Sequence, residues 1–293
     1  MLRLRAPAKL NLGLRILAHR PDGYHEIETL FLPLRLFDRI EVEREPAPGL
    51  RLEVLDAELP TDGRNLAWRA AELACRASGL EPALSIRLQK SIPIAAGLGG
   101  GSSDAAALIL AVEELSARPL DPDTRRALAL ELGADVPFFL DPRPALARGV
   151  GERLEPLAGV PELWWLLVLL PFPVSTAESY RAAASELTLP QEGSSIASLL
   201  GPSGVTSSPL NDLETAVARR HPEIGAARRA LERAGARVTG MSGSGPTVYG
   251  WFPDRAATER AAGLLEPPRG ARTMVVSSPA SDSGDWGWGV AKW

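Results

Sequence analysis

The sequence predicts an α+β fold built from two domains. Segments with strand-like apolar patterns follow one another directly and are interspersed with helical patterns, so strands and helices do not alternate regularly as in a doubly wound sheet. At 293 residues the chain is long enough for two domains of ordinary size. A proline-containing connection at 156–161 separates two patterned halves, which predicts an N-terminal domain over 1–158 and a C-terminal domain over 159–293.

The N-terminal half is dominated by strand patterns. Apolar residues at every second position between 2 and 16 predict a strand pair or one bent strand, and the Arg-Pro-Asp-Gly sequence at 20–23 predicts a turn. Further strands are predicted over 30–36, 40–43, 50–55 and 83–89. Helices are predicted over 65–77, 105–115 and 123–132, the last ending at Gly133.

The C-terminal half begins with the most apolar run of the chain, 163–172, which predicts a buried strand over 164–170 and at ten residues is too short to cross a bilayer. Helices are predicted over 213–220, 224–234 and 256–265, and strands over 237–241, 247–251 and 273–276. Residues 190–209 are rich in Ser, Gly and Pro, which predicts a surface insertion or a mobile loop.

Composition excludes several classes of protein. A formal net charge of -4 and a pI near 5.6 disfavour nucleic acid as a partner. Cys75 is the one cysteine, so there is no internal disulfide framework, and its Ala-rich surroundings predict a buried helix face. The first ten residues lack the apolar core of a signal peptide. We therefore expect a cytoplasmic protein that binds neither membrane nor nucleic acid.

The most informative segment is a glycine-rich loop that leads into the helix predicted over 105–115. Glycine allows positive φ angles and close approach of the backbone to a ligand, and a loop that opens a helix presents unpaired N–H groups to an anion. The two serines that follow the glycines can cap the helix, donate to phosphate oxygens or reach a magnesium ion. The segment therefore predicts a phosphate site at Gly97, Gly99, Gly100, Gly101, Ser102 and Ser103.

This loop differs from the two common nucleotide loops. It contains no lysine after the second glycine, as the Walker pattern requires. Its glycine spacing also does not give the G-x-G-x-x-G of dinucleotide-binding folds.

Two further segments carry chemistry. Lys9 lies in the middle of an apolar strand, where its ammonium needs partners unless the stem packs and the head reaches water. The Gly-Met-Ser-Gly-Ser-Gly-Pro sequence at 240–246 lies between two predicted strands. It is either a hairpin turn or a backbone platform facing phosphate or substrate.

Taken together and in order, these three segments resemble the three motifs of the GHMP kinases. The resemblance implies that the chain binds ATP with the glycine loop. It also implies an N-terminal domain similar to a small-subunit ribosomal-protein domain and a ferredoxin-like C-terminal α/β sandwich domain. The third motif is expected beside the glycine loop, adding to the ATP and phosphate site Ser242, Gly243, Ser244 and Gly245.

Four more strings resemble one branch of that family: Pro-Asp-Gly-Tyr-His at 21–25, Gly-Ala-Asp-Val-Pro at 133–137, Ala-Arg-Gly-Val-Gly-Glu at 147–152 and Asn-Asp-Leu-Glu at 211–214. The resemblance implies phosphorylation, in the non-mevalonate (methylerythritol phosphate) route to isoprenoid precursors, of the 2-hydroxyl of a methylerythritol unit carrying cytidine diphosphate. Homoserine- or mevalonate-type kinases are the alternative within the family. A non-catalytic binding protein on this scaffold is a second alternative, although it should lack Lys9, Asp135 or the intact loop.

The same resemblance implies roles for single residues. Asp135 takes or orients the proton of the attacking hydroxyl, with Lys9 close to it, and Asn11 bonds the aspartate or the substrate hydroxyls. Tyr24 stacks on cytosine and His25 satisfies its polar edge. Tyr180 is expected as the second aromatic of a sandwich, with Phe172 as the alternative.

The adenosine side and the metal are less specified. Asn65 and Lys90 match positions near the adenine, but each is equally compatible with an ordinary cap or surface residue. ATP and Mg²⁺ are the expected cofactors, with Ser103 as the candidate metal ligand. We expect a monomer or a homodimer acting on small molecules.

Overall fold

Two long strands, β1 and β2, pair antiparallel and form the central part of the larger sheet. The computed structural model describes residues 1–184, 196–207, 209–284 and 286–291. The strands are β1 (Leu2–His19), β2 (His25–Arg44), β3 (Gly49–Leu55), β4 (Ala83–Gln89), β5 (Ala145–Gly149), β6 (Arg153–Pro156), β7 (Leu163–Leu169), β8 (Leu200–Gly201), β9 (Gly204–Val205), β10 (Val238–Met241), β11 (Val248–Phe252), β12 (Arg272–Ser278) and β13 (Gly289–Ala291).

Seven α-helices are present in the described part of the chain. They are α1 (Leu66–Ser78), α2 (Gly100–Leu115), α3 (Pro122–Leu132), α4 (Thr176–Ala184), α5 (Glu214–Arg220), α6 (Pro222–Arg233) and α7 (Arg255–Leu264). Two short 3₁₀ helices span Val136–Leu140 and Ile196–Leu199. No helix among the described residues has the length and apolarity needed to span a membrane.

The strands form two main sheets. The first has the order β13-β1-β2-β4-β3, with β5 paired to β2 and β6 paired to β5. The second has the order β10-β11-β7-β12, in which every pair is antiparallel. With helices between β7 and β10 and between β11 and β12, this is the β-α-β-β-α-β arrangement of a ferredoxin-like domain. The predicted α+β class and the C-terminal topology are confirmed.

Packing produces four layers and three apolar cores. One face of the first sheet packs on α1, α2 and α3 through a core that includes Ile40, Leu88 and Leu108. Its other face packs on the second sheet, with Leu10 and Trp165 fully buried between them. The second sheet then packs on α5, α6 and α7. Cys75 is buried on α1 as predicted, and burial raises the pKa of its thiol to about 11.

Several sequence predictions need correction. Strands predicted separately over 30–36 and 40–43 are one strand, β2, and α4, β5, β6 and β13 were not predicted. The helix predicted over 105–115 begins at Gly100, inside the glycine loop. The strand pair or bent strand predicted over 2–16 is one strand, β1, which continues to His19, and the other predicted helices and strands are present with ends shifted by at most two residues.

The Ser-, Gly- and Pro-rich region was predicted as a surface insertion or mobile loop. Within its described part, Ile196, Leu199 and Val205 are buried in the core between the sheets, so that prediction is wrong for 196–207. Residues 190–195 and 208 lie outside the described residues. The domain division at residue 158 stays a prediction. The last strand, β13, pairs with β1 and so joins the first sheet.

Candidate active site

A cavity of about 1040 Å³ is lined by the glycine loop, the 243–245 loop, β1 and α4. It brings together nearly all the residues that the sequence predicted for the site. Those that line it are Lys9, Asn11, Tyr24, His25, Asn65, Lys90, Gly97, Gly99, Gly100, Gly101, Ser102, Asp135, Tyr180, Gly243, Ser244 and Gly245. Ser103 and Ser242 do not line it.

The glycine loop ends as the N-terminus of α2. Gly99 is the N-cap, with a φ of 72°, and no side chain caps the helix, so Ser102 and Ser103 do not have the capping role that the sequence allowed. A Cβ on Gly99 would lie 2.8 Å from the ring of Phe139, so only glycine fits there. Gly100, Gly101 and Ser102 line the cavity, so the first turn of α2 presents its N–H groups and the positive end of its dipole there.

Ser103 does not line the cavity. Its side chain is buried, and its Oγ has no hydrogen-bond partner within the described structure. Its contact with phosphate or magnesium stays a prediction. Ser102 is the loop serine that faces the cavity.

The two glycine-rich loops touch, as the family resemblance implied. The Ser242 hydroxyl donates to the Gly97 carbonyl at 3.1 Å and accepts from the Asn11 N–H at 3.1 Å. A Cβ on Gly97 would lie 2.5 Å from the Ser242 carbonyl oxygen and 2.9 Å from that of Gly245. Ser242 therefore joins the loops to each other and to β1, rather than facing phosphate as predicted.

Lys9 is the center of the polar part of the cavity. The backbone N–H of Lys9 donates to the Leu98 carbonyl at 2.9 Å, and this bond connects β1 to the glycine loop. Its side chain is only 6% exposed, and its Nζ lies 3.4 Å from Oδ2 of Asp135 and donates to Oδ1 of Asn11. The ammonium also lies 4.9 Å from the center of the Phe31 ring. Lys9 is thus a buried cation that contacts both Asn11 and the predicted base.

Asn11 is oriented by its neighbours on β1 and β2. Its side-chain nitrogen, Nδ2, donates to the Thr29 hydroxyl at 3.0 Å, and that hydroxyl donates to the Gly13 carbonyl at 2.5 Å. Since the other end of the amide accepts from Lys9, Asn11 holds the lysine in place. A direct bond from Asn11 to Asp135 or to substrate stays a prediction.

The aromatic residues differ from the predicted sandwich. His25 stacks on Tyr180, with 4.9 Å between ring centers and 26° between planes, whereas Tyr24 lines the cavity and is 62% exposed. Phe172, the alternative to Tyr180, stacks instead on His221. The cytosine roles of Tyr24, His25 and Tyr180 stay predictions.

Burial shapes the chemistry of this aromatic pair. Burial, followed by the nearby His19, lowers the pKa of His25, which favours its neutral form. His25 Nε2 is buried and has no hydrogen-bond partner among the described residues. Burial, and next the negative charge of Asp135, raise the pKa of Tyr180.

On the other side of the cavity, Lys90 forms a buried ionic cluster. Its Nζ lies 2.5 Å from Oδ2 of Asp38 and 2.6 Å from Oδ2 of Asp104. Burial would lower the pKa of Lys90, but the two carboxylates outweigh it and raise that pKa. Burial raises the pKa of Asp104 to about 7.

Asn65 is the N-cap of α1. Its Oδ1 accepts from the Ala67 N–H at 3.0 Å and its Nδ2 donates to the Pro60 carbonyl at 2.8 Å. Asn65 and Lys90 both line the cavity, but their polar groups already have protein partners. Their contacts with ATP stay predictions.

Sequence reasoning missed the residues that hold the 242–245 loop. Asn211 Nδ2 donates to the carbonyls of Met241 at 2.9 Å and Gly243 at 2.8 Å, and Glu214 accepts from the Met241 N–H at 3.1 Å. Thr176, at the start of α4, places its hydroxyl 3.0 Å from that of Ser244. The Asn-Asp-Leu-Glu string was visible in the sequence, but nothing local connects it to a loop about 30 residues away.

Comparison with known families gives a match in each half of the chain. Residues 65–141 match the GHMP kinases N terminal domain and residues 195–264 match the GHMP kinases C terminal domain. Homoserine kinase from Cytophaga hutchinsonii superposes with a TM-score of 0.73 at 18% identity, covering 97% of this chain and 96% of that one. That likeness shows the shared fold.

Closer relatives refine the class. A protein of Geobacter sp. (strain M21) is 41% identical over 92% of this chain and 96% of its own length, and one of Pelotomaculum thermopropionicum is 43% identical over 88% and 91%. This chain belongs to the GHMP kinase family. Both relatives are named 4-diphosphocytidyl-2-C-methyl-D-erythritol kinase. A crystal structure of 4-(cytidine 5'-diphospho)-2C-methyl-D-erythritol kinase is 38% identical, with a TM-score of 0.77 over 94% of this chain and 98% of that one.

Proposed function

We propose that this protein transfers the γ-phosphoryl group of ATP to the 2-hydroxyl of 4-diphosphocytidyl-2-C-methyl-D-erythritol, in the methylerythritol phosphate route to isoprenoid precursors. The observation that carries the proposal is the Lys9–Asp135 contact of 3.4 Å, which shares one cavity with both glycine-rich loops and the His25–Tyr180 pair. The relatives at about 40% identity supply the identity of the acceptor.

The reaction needs a base, a charge stabiliser and a phosphate cradle. Asp135 accepts the proton of the 2-hydroxyl as its oxygen attacks the γ-phosphorus, while the bond from that phosphorus to the β–γ bridging oxygen breaks and ADP leaves. The Lys9 ammonium lies beside the carboxylate and offsets negative charge on the phosphoryl group in transit. Since transfer is largely dissociative, positioning and charge stabilisation contribute as much as the base.

The cradle is formed by backbone. N–H groups at the start of α2 face the cavity together with the 243–245 loop, so the triphosphate meets donors without side-chain bulk. At the far end, the buried Nε2 of His25 offers one unsatisfied polar atom to the edge of cytosine. Tyr24 and Tyr180 supply ring surface for stacking on the base.

We also propose that Mg²⁺ accompanies ATP. No group of three or more His, Cys, Asp or Glu among the described residues could hold a metal ion. Asp104 lines the cavity and bonds Lys90 through Oδ2, while its Oδ1 has no hydrogen-bond partner in the described part of the chain. Mg²⁺ commonly keeps several waters and binds through substrate phosphates, which is the mode that this cavity permits. When bound, it would offset phosphate charge, and we assign it no protein ligand.

The test is ADP release measured with 4-diphosphocytidyl-2-C-methyl-D-erythritol, homoserine and mevalonate as separate acceptors. We expect turnover with the cytidyl compound alone. Asp135→Asn, which keeps the shape of the side chain, should reduce kcat by about 10²- to 10⁴-fold while ATP binding persists.

Each other result has a definite meaning. Turnover with homoserine or mevalonate instead would keep the kinase chemistry and overturn the acceptor. A folded protein that binds ATP and phosphorylates none of the three would favour the non-catalytic alternative. The cytoplasmic location and the monomeric or homodimeric state stay predictions.

A further inference from the structure

Among the described residues, four cationic side chains line the cavity, and three of them are paired with carboxylates. Lys9 contacts Asp135, and Lys90 bonds to Asp38 and Asp104. Arg64 forms a salt bridge of 2.9 Å with Asp62. The fourth is Arg181, which also lines the cavity and has no carboxylate partner in the described part of the chain.

Arg181 is placed on α4 between two parts of the site. It directly follows Tyr180, which stacks on His25. Its Nε donates to the Ala177 carbonyl at 3.3 Å, so the side chain folds back by one helical turn toward the N-terminus of α4. That end of the helix is where Thr176 meets Ser244 of the second glycine-rich loop. The guanidinium therefore lies along the wall that leads from the aromatic pair to the phosphate end of the cavity.

The shape of the proposed substrate fits this order. Its cytosine and its reacting hydroxyl lie at opposite ends of the molecule, with ribose and the diphosphate between them. If cytosine occupies the aromatic end and the hydroxyl reaches Asp135, the diphosphate must cross the wall between Tyr180 and the 243–245 loop. An anionic group at that place needs a cation, and the neighbouring cations Lys9 and Lys90 are already matched by carboxylates.

We propose that Arg181 binds the diphosphate of the nucleotide-linked acceptor, a proposal that rests on the proposed function. A guanidinium presents paired N–H donors that match two phosphate oxygens, and charge-assisted bonds of this kind are the strong class. Arg181 would thereby distinguish a cytidine diphosphate compound from the nucleoside alone, and it would hold the acceptor at a fixed distance from Asp135.

The experiment measures binding without turnover. With a non-hydrolysable ATP analogue filling the donor site, the dissociation constants of CDP and of cytidine are measured by calorimetry. The proteins are wild type, Arg181→Gln, Arg181→Lys and the matched control Arg64→Gln, which removes a cavity charge at a different place. Circular dichroism melting verifies that each variant is folded.

We expect Arg181→Gln to weaken CDP binding by about tenfold and to leave cytidine binding unchanged. Arg181→Lys should recover part of the loss, because it restores the charge without the paired donors. Arg64→Gln should bind CDP as the wild type does.

Three results would overturn the role of Arg181: equal weakening of CDP and cytidine, no weakening of either, or weakening of the ATP analogue in place of CDP. These outcomes are separable from failure of the proposed function. Wild-type protein that turns over the cytidyl acceptor, together with Arg181→Gln that binds CDP normally, removes only the Arg181 assignment. Wild-type protein that neither turns over the acceptor nor binds CDP removes the proposed function itself.

Discussion

Replacing Gly97 by alanine should separate the two glycine-rich loops. Gly97 has a φ of 74°, and a Cβ there would lie 2.5 Å from the Ser242 carbonyl oxygen and 2.9 Å from that of Gly245. Both neighbours are backbone atoms, so no side chain can rotate away. Ordinary contact begins near 3.4 Å, so the loops must part by about 0.9 Å at Ser242.

Two costs follow from this geometry. An L-residue at a left-handed φ costs roughly 1–2 kcal/mol. Displacing a catalytic group by about 1 Å can cost about 10²-fold in rate. The hydrogen bonds that join Ser242 to Gly97 and to Asn11 cross the same contact, so the displacement reaches the strand that carries Lys9. We expect Gly97→Ala to lower kcat/KM by about 10²-fold with a modest loss of thermal stability.

Steady-state kinetics with ATP and the cytidyl acceptor measure this effect, and thermal melting verifies folding. Gly263→Ala is the matched control, because Gly263 lies on α7 outside the cavity lining, a Cβ there meets nothing within 4 Å and its φ is not in the left-handed range. The control should stay within about threefold of wild type, as expected for a site without a named destabilising mechanism. A Gly97→Ala enzyme that is as active as the control would refute the idea that loop contact sets the geometry of the site.

Two further predictions concern loop support and pH. Asn211→Asp removes both N–H donors to the carbonyls of Met241 and Gly243, so kcat/KM should fall about tenfold or more. The control Asp212→Asn keeps an oxygen that accepts from the Ile16 N–H, so its kcat/KM should change little. Kinetics of both variants, with melting curves, decide this, and equal activities would contradict it. Because the pKa of His25 is lowered from 6.5, its stabilising contribution is complete above pH 6.5 and is lost as pH falls through the folded-state pKa. Urea unfolding between pH 5 and 8 should show that His25→Asn removes this dependence, and an unchanged pH profile would disprove it.

Most helices and strands of the fold could be predicted from local sequence patterns. The start of β1 was readable because Leu2–Arg5 alternate between buried and exposed positions, and α1 was readable because its Ala-rich face alone is buried. The start of α2 was not, since four glycines with low helix propensity normally argue against a helix, and here the cavity-facing backbone requires them. Strand β13 was also missed, because three residues pairing with the distant β1 leave no period to detect.

The candidate site likewise contains residues that the sequence identifies and contacts that it does not reveal. The motif residues that the family resemblance assigns to the site were recognisable one by one, and all but Ser103 and Ser242 line the cavity. The contacts that hold them were invisible, because their partners are far apart in the chain. Asn211 acts on a loop about 30 residues later, and Tyr180 stacks on a histidine of the first hairpin.

Lys90 shows why such partners cannot be identified from the sequence alone. Antiparallel pairing of Arg39 with Gln89 places Asp38 beside Lys90, and the first turns of α2 bring Asp104 to the same ammonium. Lys90 lies seven residues before Gly97 and Asp104 directly follows the serines of the loop, so the ion pair joins the two sides of the loop segment. Removing one partner of a buried ion pair typically costs about 3–5 kcal/mol, because the remaining charge stays unpaired. Position 90 is therefore constrained by the shape of the phosphate loop, whether or not its ammonium also reaches ATP.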